Sequence, residues 1–397
     1  MTTLTPVSDA LNALFKLVSP LQVEEVALAD CAMRVLAEDA VAKRNQPPFH
    51  ASAMDGYAAK SEDARVGKEL AVVGEARAGF SWSGTVEAGQ AVRIFTGAPM
   101  PAGAERVIIQ EDVARDEDKI TLLDTLGDAD NVRPEGSDFA IGHRIIAPKR
   151  LRPGDIALCA SMNLPSVRVY RRPEVAIIAT GDELVQPGSE PNKDQIVSSN
   201  SYGLKAMFEA AGAIVRMLPI ALDTVESLGQ VLELARGADV IITIGGASVG
   251  DYDLVGEVAG SMGLEREFYQ VAMRPGKPLM CGKLGASLLI GLPGNPVSSM
   301  VCGQIFVVPA LRAMQGLPAE PVPRQRGRLA SDAGKNGNRE HYMRAKLEIR
   351  DGAVWVHPES RQDSSLLSVL SWSNCLMVRA PHADPLSYGS EVEYIPL

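Results

Sequence analysis

Strand-like and helical segments alternate between residues 173 and 316, and this alternation limits the fold more than any other feature of the chain. Residues 175–179 form a continuous apolar run, which is typical of a strand buried on both faces. Further strand-like segments occupy residues 214–218, 240–244 and 287–290. Helical patterns lie between them, with apolar faces formed by Leu204, Met207, Phe208 and Ala211 and by Leu228, Val231, Leu232 and Ala235. This order predicts a parallel α/β sheet domain of about 140 residues.

Local signals mark where helices begin. Asp223 and Glu226 have the spacing of a capping box before the second helical pattern. Asn295 and Pro296 are typical of the N-cap and first residue of a closing helix. Near the N-terminus, residues 7–18 carry a further helical pattern with Ser8 as its expected N-cap. We expect this helix to pack on its own chain rather than on a partner.

The segments on either side of the α/β region differ from it. Short apolar runs with Gly and Pro punctuation precede it and predict a β-rich domain with functional loops. A Pro-rich linker follows it, and beyond that linker two strand-like runs flank Asp351-Gly352, a strong hairpin-turn signal. The predicted fold is multidomain α/β plus β: a helical linking domain at residues 1–44 and 141–172, a β-rich domain at 45–140, a central parallel α/β-sheet domain at 173–316 and a small C-terminal β domain at 324–397.

Composition limits the partners and the compartment. The net charge of −10 argues against nucleic acid as a partner, because general nucleic-acid binders are usually basic. The five cysteines are scattered with no CxxC pair, which predicts reduced thiols in a cytoplasmic protein. The N-terminus lacks a signal-peptide pattern. We expect no membrane partner, because no apolar run approaches the roughly 18 to 20 residues needed to span a bilayer.

Three loops follow strands of the predicted sheet and carry glycine beside acidic or hydroxyl groups. They occupy residues 180–184, 245–253 and 291–296. Ligands of open α/β sheets bind beyond the carboxyl ends of the strands, glycine lets an anion approach backbone N–H groups, and carboxylates hold Mg²⁺ against phosphate oxygens. Each loop alone is also consistent with a tight turn, but together they favour an anion or nucleotide site. The spacing matches neither a Walker A loop nor a dinucleotide fingerprint.

Other segments carry isolated chemical groups. The stiff, basic segment Arg274-Pro275-Gly276-Lys277-Pro278 is either a solvated loop or a binding site for phosphate or molybdate. In the β-rich region, turns around Asp55, Thr96 and Arg133 combine glycine with acids, a hydroxyl and a cation. Each of these is by itself an ordinary turn. The histidines do not have metal-ligand spacing, and we assign them no catalytic metal.

Taken in order, eight of these segments resemble the MoeA family (molybdopterin molybdotransferases), which includes the E domain of gephyrin. The segments are PPFHASAMDGYA from Pro47, FTGAPMPAGAERVIIQED from Phe95, NVRPEGSD from Asn131, ATGDEL from Ala179, TIGGASVGDYD from Thr243, RPGKP from Arg274, GLPGNPVSS from Gly291 and NREHYMRA from Asn338. Any one motif is weakly specific, whereas the ordered set over about residues 45–345 is strongly specific.

The resemblance implies a four-part subunit in an elongated homodimer, with a molybdopterin-binding α/β domain. It implies that molybdate and adenylylated molybdopterin are converted to molybdenum cofactor and AMP, with Mg²⁺ as the divalent metal. Molybdopterin adenylyltransferase and molybdoenzymes are the implied partners that deliver and receive the cofactor.

The resemblance also implies site residues. Glu183, Asp223 and Asp253 are the implied acids on the metal or AMP side, while Asp55, Thr96, Arg133 and Asp138 approach from the β-rich domain across the dimer. The remaining implied substrate contacts are Thr180, Gly181, Asp182, Gly245, Gly246, Ser248, Gly250, Arg274, Lys277, Pro293, Gly294, Pro296, Ser364 and Ser368. This chain departs from the family pattern at Arg274, where some relatives have Lys, at Gln270, where a cation occurs in some relatives, and at residues 362–364, where a glycine is common after the glutamine.

Two other functions remain open from the sequence. Molybdopterin adenylyltransferase shares the α/β module, but it is typically one small domain, so the Asp55 and Thr96 motifs and the tail favour the insertase. A gephyrin-like scaffold that binds a partner between the α/β and tail domains is the second alternative. The chain carries neither gephyrin's extra linker nor a second catalytic module.

Overall fold

The chain folds into two compact units around separate hydrophobic cores. The computed structural model describes residues 4–246 and 254–397. The first unit comprises Met1–Glu24, Met33–Ala37 and Val169–Leu397, and the second comprises Glu25–Ala32 and Glu38–Arg168. The strands Val23–Ala27, Val35–Leu36 and Ser166–Tyr170 lie where the chain passes from one unit to the other. The five cysteines are buried, and no disulfide bond joins any of them within residues 4–246 and 254–397.

A six-stranded sheet forms the centre of the first unit. Its strands, numbered along the chain, are β1 Glu174–Ala179, β2 Ile214–Met217, β3 Val240–Ile244, β4 Leu264–Tyr269, β5 Met280–Leu284 and β6 Ser287–Leu292. The spatial order is β2-β1-β3-β6-β5-β4. The first four strands of that order are parallel, while β5 and β4 add antiparallel pairings. The predicted parallel α/β domain is therefore confirmed, with an antiparallel edge that the sequence analysis missed.

Helices cover this sheet. They are α1 Val7–Lys16, α2 Asn200–Ala210, α3 Val225–Leu234, α4 Leu254–Ser261 and α5 Pro296–Met314, the last interrupted by a π-helical turn at Gly303–Val307. Helix α1 buries Leu11 and Leu14 in the core of its own unit, which confirms packing within the chain. The predicted N-cap of α1 was wrong, because Ser8 lies inside the helix and Pro6 precedes its first residue.

Thr224, rather than the predicted Asp223 and Glu226 pair, caps helix α3. The Thr224 side chain accepts a hydrogen bond from the Ser227 backbone N–H over 3.2 Å. A β-branched hydroxyl at the N-cap satisfies one of the unpaired N–H groups of the first helical turn. The Asp223 carboxylate is therefore not used for capping and stands before the helix.

Helix α5 corrects the expectation that no apolar run approaches membrane-spanning length. Among the described residues, Pro296–Met314 is one helix of 19 residues that, by length and composition only, is long and apolar enough to cross a membrane. An 18-residue window of this helix has a mean hydropathy of 1.5. Within that window, 78% of the helix is buried inside the protein. Core residues such as Val301, Phe306 and Leu311 place it in the centre of the first unit. A core helix of this kind has the same composition as a membrane span, so composition alone does not separate the two.

The C-terminal segment of the first unit forms a closed β-barrel. Its five strands are Gln325–Leu329, Glu340–Arg350, Ala353–Pro358, Cys375–Arg379 and Glu391–Pro396. Closure comes from pairing of the second of these strands with the fourth, and the short strand Met273–Arg274 adds to the second. Asp351 and Gly352, with φ of 53° and 74°, form the predicted hairpin turn. The helix Leu367–Trp372 precedes the fourth strand.

The second unit is β-rich, as predicted. Its main sheet has six strands in the spatial order Arg106–Ile109, Gly56–Ala59, Gln90–Ile94, Glu69–Ala76, Lys119–Leu122 and Val113–Asp116. The unit also contains two short antiparallel strand pairs, Ala51–Ser52 with Val132–Arg133 and Ala40–Val41 with Arg144–Ile145. The strand Lys149–Arg150 and the helix Pro153–Ser161 complete the unit.

Candidate active site

A cavity of about 840 Å³ opens at the carboxyl ends of the parallel strands in the first unit. The loops after β1, β3 and β6, which are neighbours in the sheet, supply Thr180 and Gly181, Gly245 and Gly246, and Gly294 to its lining. This volume lies within the range of small-molecule sites, and the position is where open α/β sheets bind ligands. The predicted convergence of these loops is therefore present in the structure.

Glycine is required where two of these loops meet. At Gly245 φ is +91°, and an added Cβ atom would lie 2.8 Å from the carbonyl oxygen of Thr180. A side chain at Gly245 would therefore combine backbone strain with a clash against the neighbouring loop. The bare backbone at this point leaves room for a ligand to approach it closely.

Carboxylates crowd one side of the cavity. Glu183 and Asp223 line it, and Asp182 accepts a hydrogen bond from the Asp223 backbone N–H over 3.0 Å. Partial desolvation and the charges of Asp182 and Glu183 raise the pKa of Asp223. Within residues 4–246 and 254–397, no lysine, arginine or histidine forms an ion pair with these three acids. A cation bound beside them would relieve this repulsion.

The acids of the described chain do not by themselves complete a metal site. Among the described residues, no group of three or more His, Cys, Asp or Glu side chains is placed to hold a metal ion. The third predicted acid, Asp253, lies outside the described residues, as do Ser248 and Gly250. The described donors, Glu183 and Asp223, supply carboxylate oxygens, which suit a hard cation such as Mg²⁺.

Helix N-termini surround the same cavity. Helices α2 and α5 begin at Asn200 and Pro296, which line it, as does Leu254, the first described residue of α4. The N-cap side chains of α2 and α5, Ser199 and Asn295, make no capping hydrogen bond and also line the cavity. Unpaired N–H groups and the positive ends of helix dipoles favour a bound anion. The cavity therefore combines anion-binding groups with carboxylates that suit a divalent cation.

Several lining residues were missed by the sequence analysis. They are Ser198, Ser199, Asn200, Glu257 and Ser365. The polar run at residues 198–200 directly precedes a predicted helix, which was a usable signal, whereas Glu257 has only helical spacing to mark it.

The tail reaches the cavity through Ser365. The Asp363 side chain accepts hydrogen bonds from the Ser365 N–H and hydroxyl, over 2.8 and 2.6 Å. The buried guanidinium of Arg344 donates to the Asp363 carbonyl oxygen over 2.8 Å and so holds this segment. Of the predicted tail contacts, the Ser364 carbonyl accepts from the Val297 N–H, and Ser368 lies in the helix Leu367–Trp372. Their proposed contacts with substrate stay predictions.

The prolines of the third loop take different positions. Pro296 lines the cavity as the first residue of α5, beside Gly294. Pro293 is buried behind Gly294 and is not part of the lining. The Asn200 side-chain amide donates to the Gly294 carbonyl oxygen over 2.7 Å, which ties the third loop to the start of α2.

Arg274 and Lys277 do not line this cavity. Arg274 is exposed on the short strand that pairs with the barrel, opposite His341. His341 is 7% exposed, and burial together with the charges of Arg274, Arg344, Arg339 and Arg379 lowers its pKa to about 4. The first unit thus has a cationic cluster around His341 whose members do not line the acidic cavity.

The pKa of His341 predicts a pH dependence of stability. In the unfolded chain a histidine protonates near pH 6.5, whereas folded His341 resists protonation until about pH 4. Stability is therefore unaffected above pH 6.5 and falls as the pH drops, by about 2 kcal/mol between pH 7.5 and pH 5. We expect His341→Gln to flatten this slope in urea unfolding monitored in the first unit. The exposed His50→Gln is the matched control, and an unchanged slope in His341→Gln would contradict the assignment.

In the second unit, Asp55 and Thr96 form one structural element. The Asp55 carboxylate accepts hydrogen bonds from both the N–H and the hydroxyl of Thr96, each over 2.7 Å. These bonds, together with the charge of Arg93, hold the pKa of Asp55 below its usual range. The two turns are thus brought together, and Asp55 presents a fixed carboxylate.

Arg93, which the sequence analysis missed, supports this turn. Its guanidinium lies over the rings of Tyr57 and Phe95, at 4.9 and 4.8 Å from their centroids. It also donates to the Gly56 carbonyl over 3.3 Å and to the Gln110 side chain over 2.7 Å. The carbonyl of Asp55 in turn accepts from the Gln110 N–H. Arg93 therefore holds the backbone on both sides of the Asp55 carboxylate.

Arg133 and Asp138 lie on the segment beside this turn. Strand pairing sets Arg133 opposite Ala51, and the Asn131 carbonyl accepts from the Ala53 N–H. The Asp138 N–H donates to the Gln46 carbonyl. Both side chains are exposed and, among the described residues, neither forms a hydrogen bond or ion pair with Asp55 or Thr96.

These features define a class of protein: a multidomain α/β protein with a cavity at the strand ends of its α/β domain, where helix N-termini and glycine loops meet carboxylates. Family models match along nearly the whole chain. The MoeA N-terminal region (domains I and II) matches residues 5–163, a probable molybdopterin-binding domain matches 176–313, and the MoeA C-terminal region (domain IV) matches 326–397.

Similar proteins agree with these matches. A molybdopterin molybdenumtransferase of Nostoc sp. is 36% identical over 98% of this chain and 93% of its own. One from Haemophilus influenzae is 33% identical over 95% and 94%. The crystal structure of a molybdopterin biosynthesis MoeA protein from Pyrococcus horikoshii is 28% identical, covers 100% of both chains and has a TM-score of 0.84. This chain belongs to the MoeA family.

Proposed function

We propose that this chain is a molybdopterin molybdenumtransferase that inserts molybdenum from molybdate into adenylylated molybdopterin and releases AMP. The observation that carries the proposal is the strand-end cavity, where helix N-termini and glycine loops meet the carboxylates Glu183 and Asp223. A pyrophosphate-linked nucleotide needs N–H donors for its phosphates and a divalent cation for its charge. Relatives that share nearly the full length of the chain are named molybdopterin molybdenumtransferase.

Mg²⁺ is the proposed cofactor, held by Glu183 and Asp223 together with Asp253. The raised pKa of Asp223 supports this, because partial burial and the nearby charges of Asp182 and Glu183 both disfavour its ionised form, which a bound cation would stabilise. When bound, the metal would neutralise phosphate charge and polarise the phosphorus–oxygen bond.

The chain's own groups bind and orient the substrate. The backbone of Gly181, Gly245 and Gly246 and the start of α5 face the phosphates, and the hydroxyl and amide groups at residues 198–200 bind the adjoining part of the nucleotide. The phosphoanhydride bond between AMP and the pterin phosphate breaks, with water supplying the oxygen that completes AMP. Fixed N–H donors stabilise the charge that develops on the phosphate oxygens.

Molybdate, an anionic substrate, requires cations. Arg274 and Lys277 are the proposed ligands, and the positive charge shared by Arg274, Arg339, Arg344 and Arg379 around His341 supports this location. Arg344 and Arg379 are buried and already donate to carbonyl groups. We therefore assign the binding to the exposed Arg274 and the half-buried Lys277.

We further propose that the enzyme is a cytoplasmic homodimer with a composite site. Asp55, Thr96, Arg133 and Asp138 would act on the substrate bound in the strand-end cavity of the other subunit. The rigid Asp55–Thr96 pair, whose carboxylate is held ionised by two hydrogen bonds, supports a role in binding or catalysis.

The test is AMP release by the purified protein supplied with adenylylated molybdopterin, Mg²⁺ and molybdate. We expect release to depend on molybdate and to yield molybdenum cofactor. Two results would contradict the proposal: AMP release that does not require molybdate, and adenylylation of molybdopterin from ATP as the main activity, which would indicate the adenylyltransferase.

A further inference from the structure

Arg93 ties together the ends of three neighbouring strands in the second unit. It lies on the strand Gln90–Ile94, which pairs with the strand Gly56–Ala59. Its guanidinium donates to the Gly56 carbonyl on that neighbour over 3.3 Å, and to the side chain of Gln110, which follows the strand on the far side, over 2.7 Å. A planar guanidinium has several donors in a fixed arrangement and can bridge two separate acceptors in this way.

The register of these strands places Arg93 beside both the Asp55 and the Thr96 turns. Arg93 lies opposite Tyr57, and the pairing of the two strands ends one residue later, at Gly56. Asp55 directly precedes this last paired residue, and Thr96 lies three residues after Arg93. The guanidinium is therefore held at the end of the sheet from which the Asp55 carboxylate is presented.

Two aromatic rings fix the plane of the guanidinium. The rings of Tyr57 and Phe95 lie on the strand opposite Arg93 and two residues beyond it, and both make cation–π contacts with it. Tyr57 is buried in the core of this unit, so its ring cannot move aside. The guanidinium thus has a fixed position as well as fixed acceptors.

We propose that Arg93 is a positioning residue for the reaction, which holds the Asp55 carboxylate in the place where it acts; this rests on the proposed function. Arg93 acts through the backbone on both sides of the acid. It holds the Gly56 carbonyl directly, and it holds Gln110, whose N–H donates to the Asp55 carbonyl over 3.1 Å. Because Thr96 bonds the carboxylate to the other turn, a shift of this backbone displaces the acid. Small displacements of a reacting group lower the rate strongly.

The test compares two arginine truncations in the same sheet. Arg93→Ala and the matched control Arg106→Ala are assayed for molybdate-dependent AMP release, with and without guanidinium ion at a concentration too low to unfold the protein. Arg106 donates to the carbonyls of Gly127 and Ala129 over 2.8 and 2.9 Å, at the end of its strand away from Asp55. Its loss removes comparable hydrogen bonds without reaching the acid.

We expect kcat of Arg93→Ala to fall about tenfold, with KM for adenylylated molybdopterin unchanged. Added guanidinium should restore most of the loss by occupying the space between the two rings. Arg106→Ala should keep the wild-type kcat under both conditions, even where its unfolding temperature is lowered. Arg93→Lys keeps the charge but not the planar fork, and its kcat should lie between those of Arg93→Ala and the wild type.

The outcomes separate this inference from the proposed function. Wild-type kcat in folded Arg93→Ala, a loss that guanidinium does not restore, or an equal loss in Arg106→Ala would overturn the positioning role and leave the proposed function standing. A raised KM with unchanged kcat would overturn it too, because Arg93 would then contact the substrate itself. If Arg93→Ala does not fold, Arg93→Lys decides, and wild-type kcat in that variant contradicts the role. Absence of AMP release from the wild-type protein would overturn the proposed function and this inference with it.

Discussion

Glu183→Gln is expected to abolish AMP release while the protein stays folded. Glu183 is exposed at the edge of the strand-end cavity, so its amide counterpart fits the same space. The substitution removes the charge proposed to hold the metal, and we expect kcat for AMP release to fall at least about a hundredfold. Stability should not decrease, because the Glu183 charge raises the pKa of Asp223 and its removal relieves that repulsion.

Glu190→Gln provides the matched control for this variant. Glu190 is exposed in the segment that follows Glu183 but does not line the cavity. Glu190→Gln removes the same charge, but at a position outside the cavity. We therefore expect normal AMP release from this variant. Wild-type turnover by Glu183→Gln would remove Glu183 from the site, and an equal loss in both variants would show that overall charge, rather than position, is responsible.

Gly56→Ala is expected to have the second-largest effect, because it moves Asp55. Gly56 is buried in the main sheet of the second unit, between Gln90–Ile94 and Arg106–Ile109. An added Cβ atom would lie 2.0 Å from the carbonyl oxygen of Ile108, so the backbone must shift. We expect a loss of at least about 2 kcal/mol in the free energy of unfolding. Displacement of the neighbouring Asp55 by about 1 Å should lower kcat on the order of a hundredfold.

Gly127→Ala is the control for this substitution. Gly127 lies in the same unit, its added Cβ atom meets nothing within 4 Å, and its φ is not in the left-handed region. We expect wild-type unfolding and wild-type AMP release from it. Full activity of Gly56→Ala with reduced stability would show that the Asp55 turn does not contribute to the reaction.

The parallel core of the α/β domain was predictable because its strands are buried on both faces. All five residues of β3 are buried, and the sequence there is a continuous apolar run. The antiparallel edge was not predictable in the same way. Strand β4 carries exposed charged residues, and β5 contains Gly282, whose bare backbone lets the Glu265 carbonyl approach closely. Strands with exposed charges or an internal glycine lack the continuous hydrophobic pattern that marks a buried strand in the sequence.

The strand-end part of the site was predictable for a similar reason. Glycine and acidic residues that follow buried strands meet at one edge of a parallel sheet, which brings Gly181, Glu183 and Gly245 to one cavity. The surroundings of His341 were not predictable. Its arginine neighbours come from positions 274, 339, 344 and 379, and only closure of the barrel and its added strand brings them together. No local pattern marks contacts of this kind.

Mixing two inactive variants tests the composite site most directly. Asp55→Asn and Glu183→Gln are purified separately, mixed under conditions that exchange subunits, and assayed for molybdate-dependent AMP release, with heterodimers counted by native mass spectrometry. If Asp55 of one subunit acts with Glu183 of the other, each heterodimer has one intact site, and random exchange restores about a quarter of wild-type activity. A mixture that forms heterodimers yet stays as inactive as its parents would contradict a site shared between subunits.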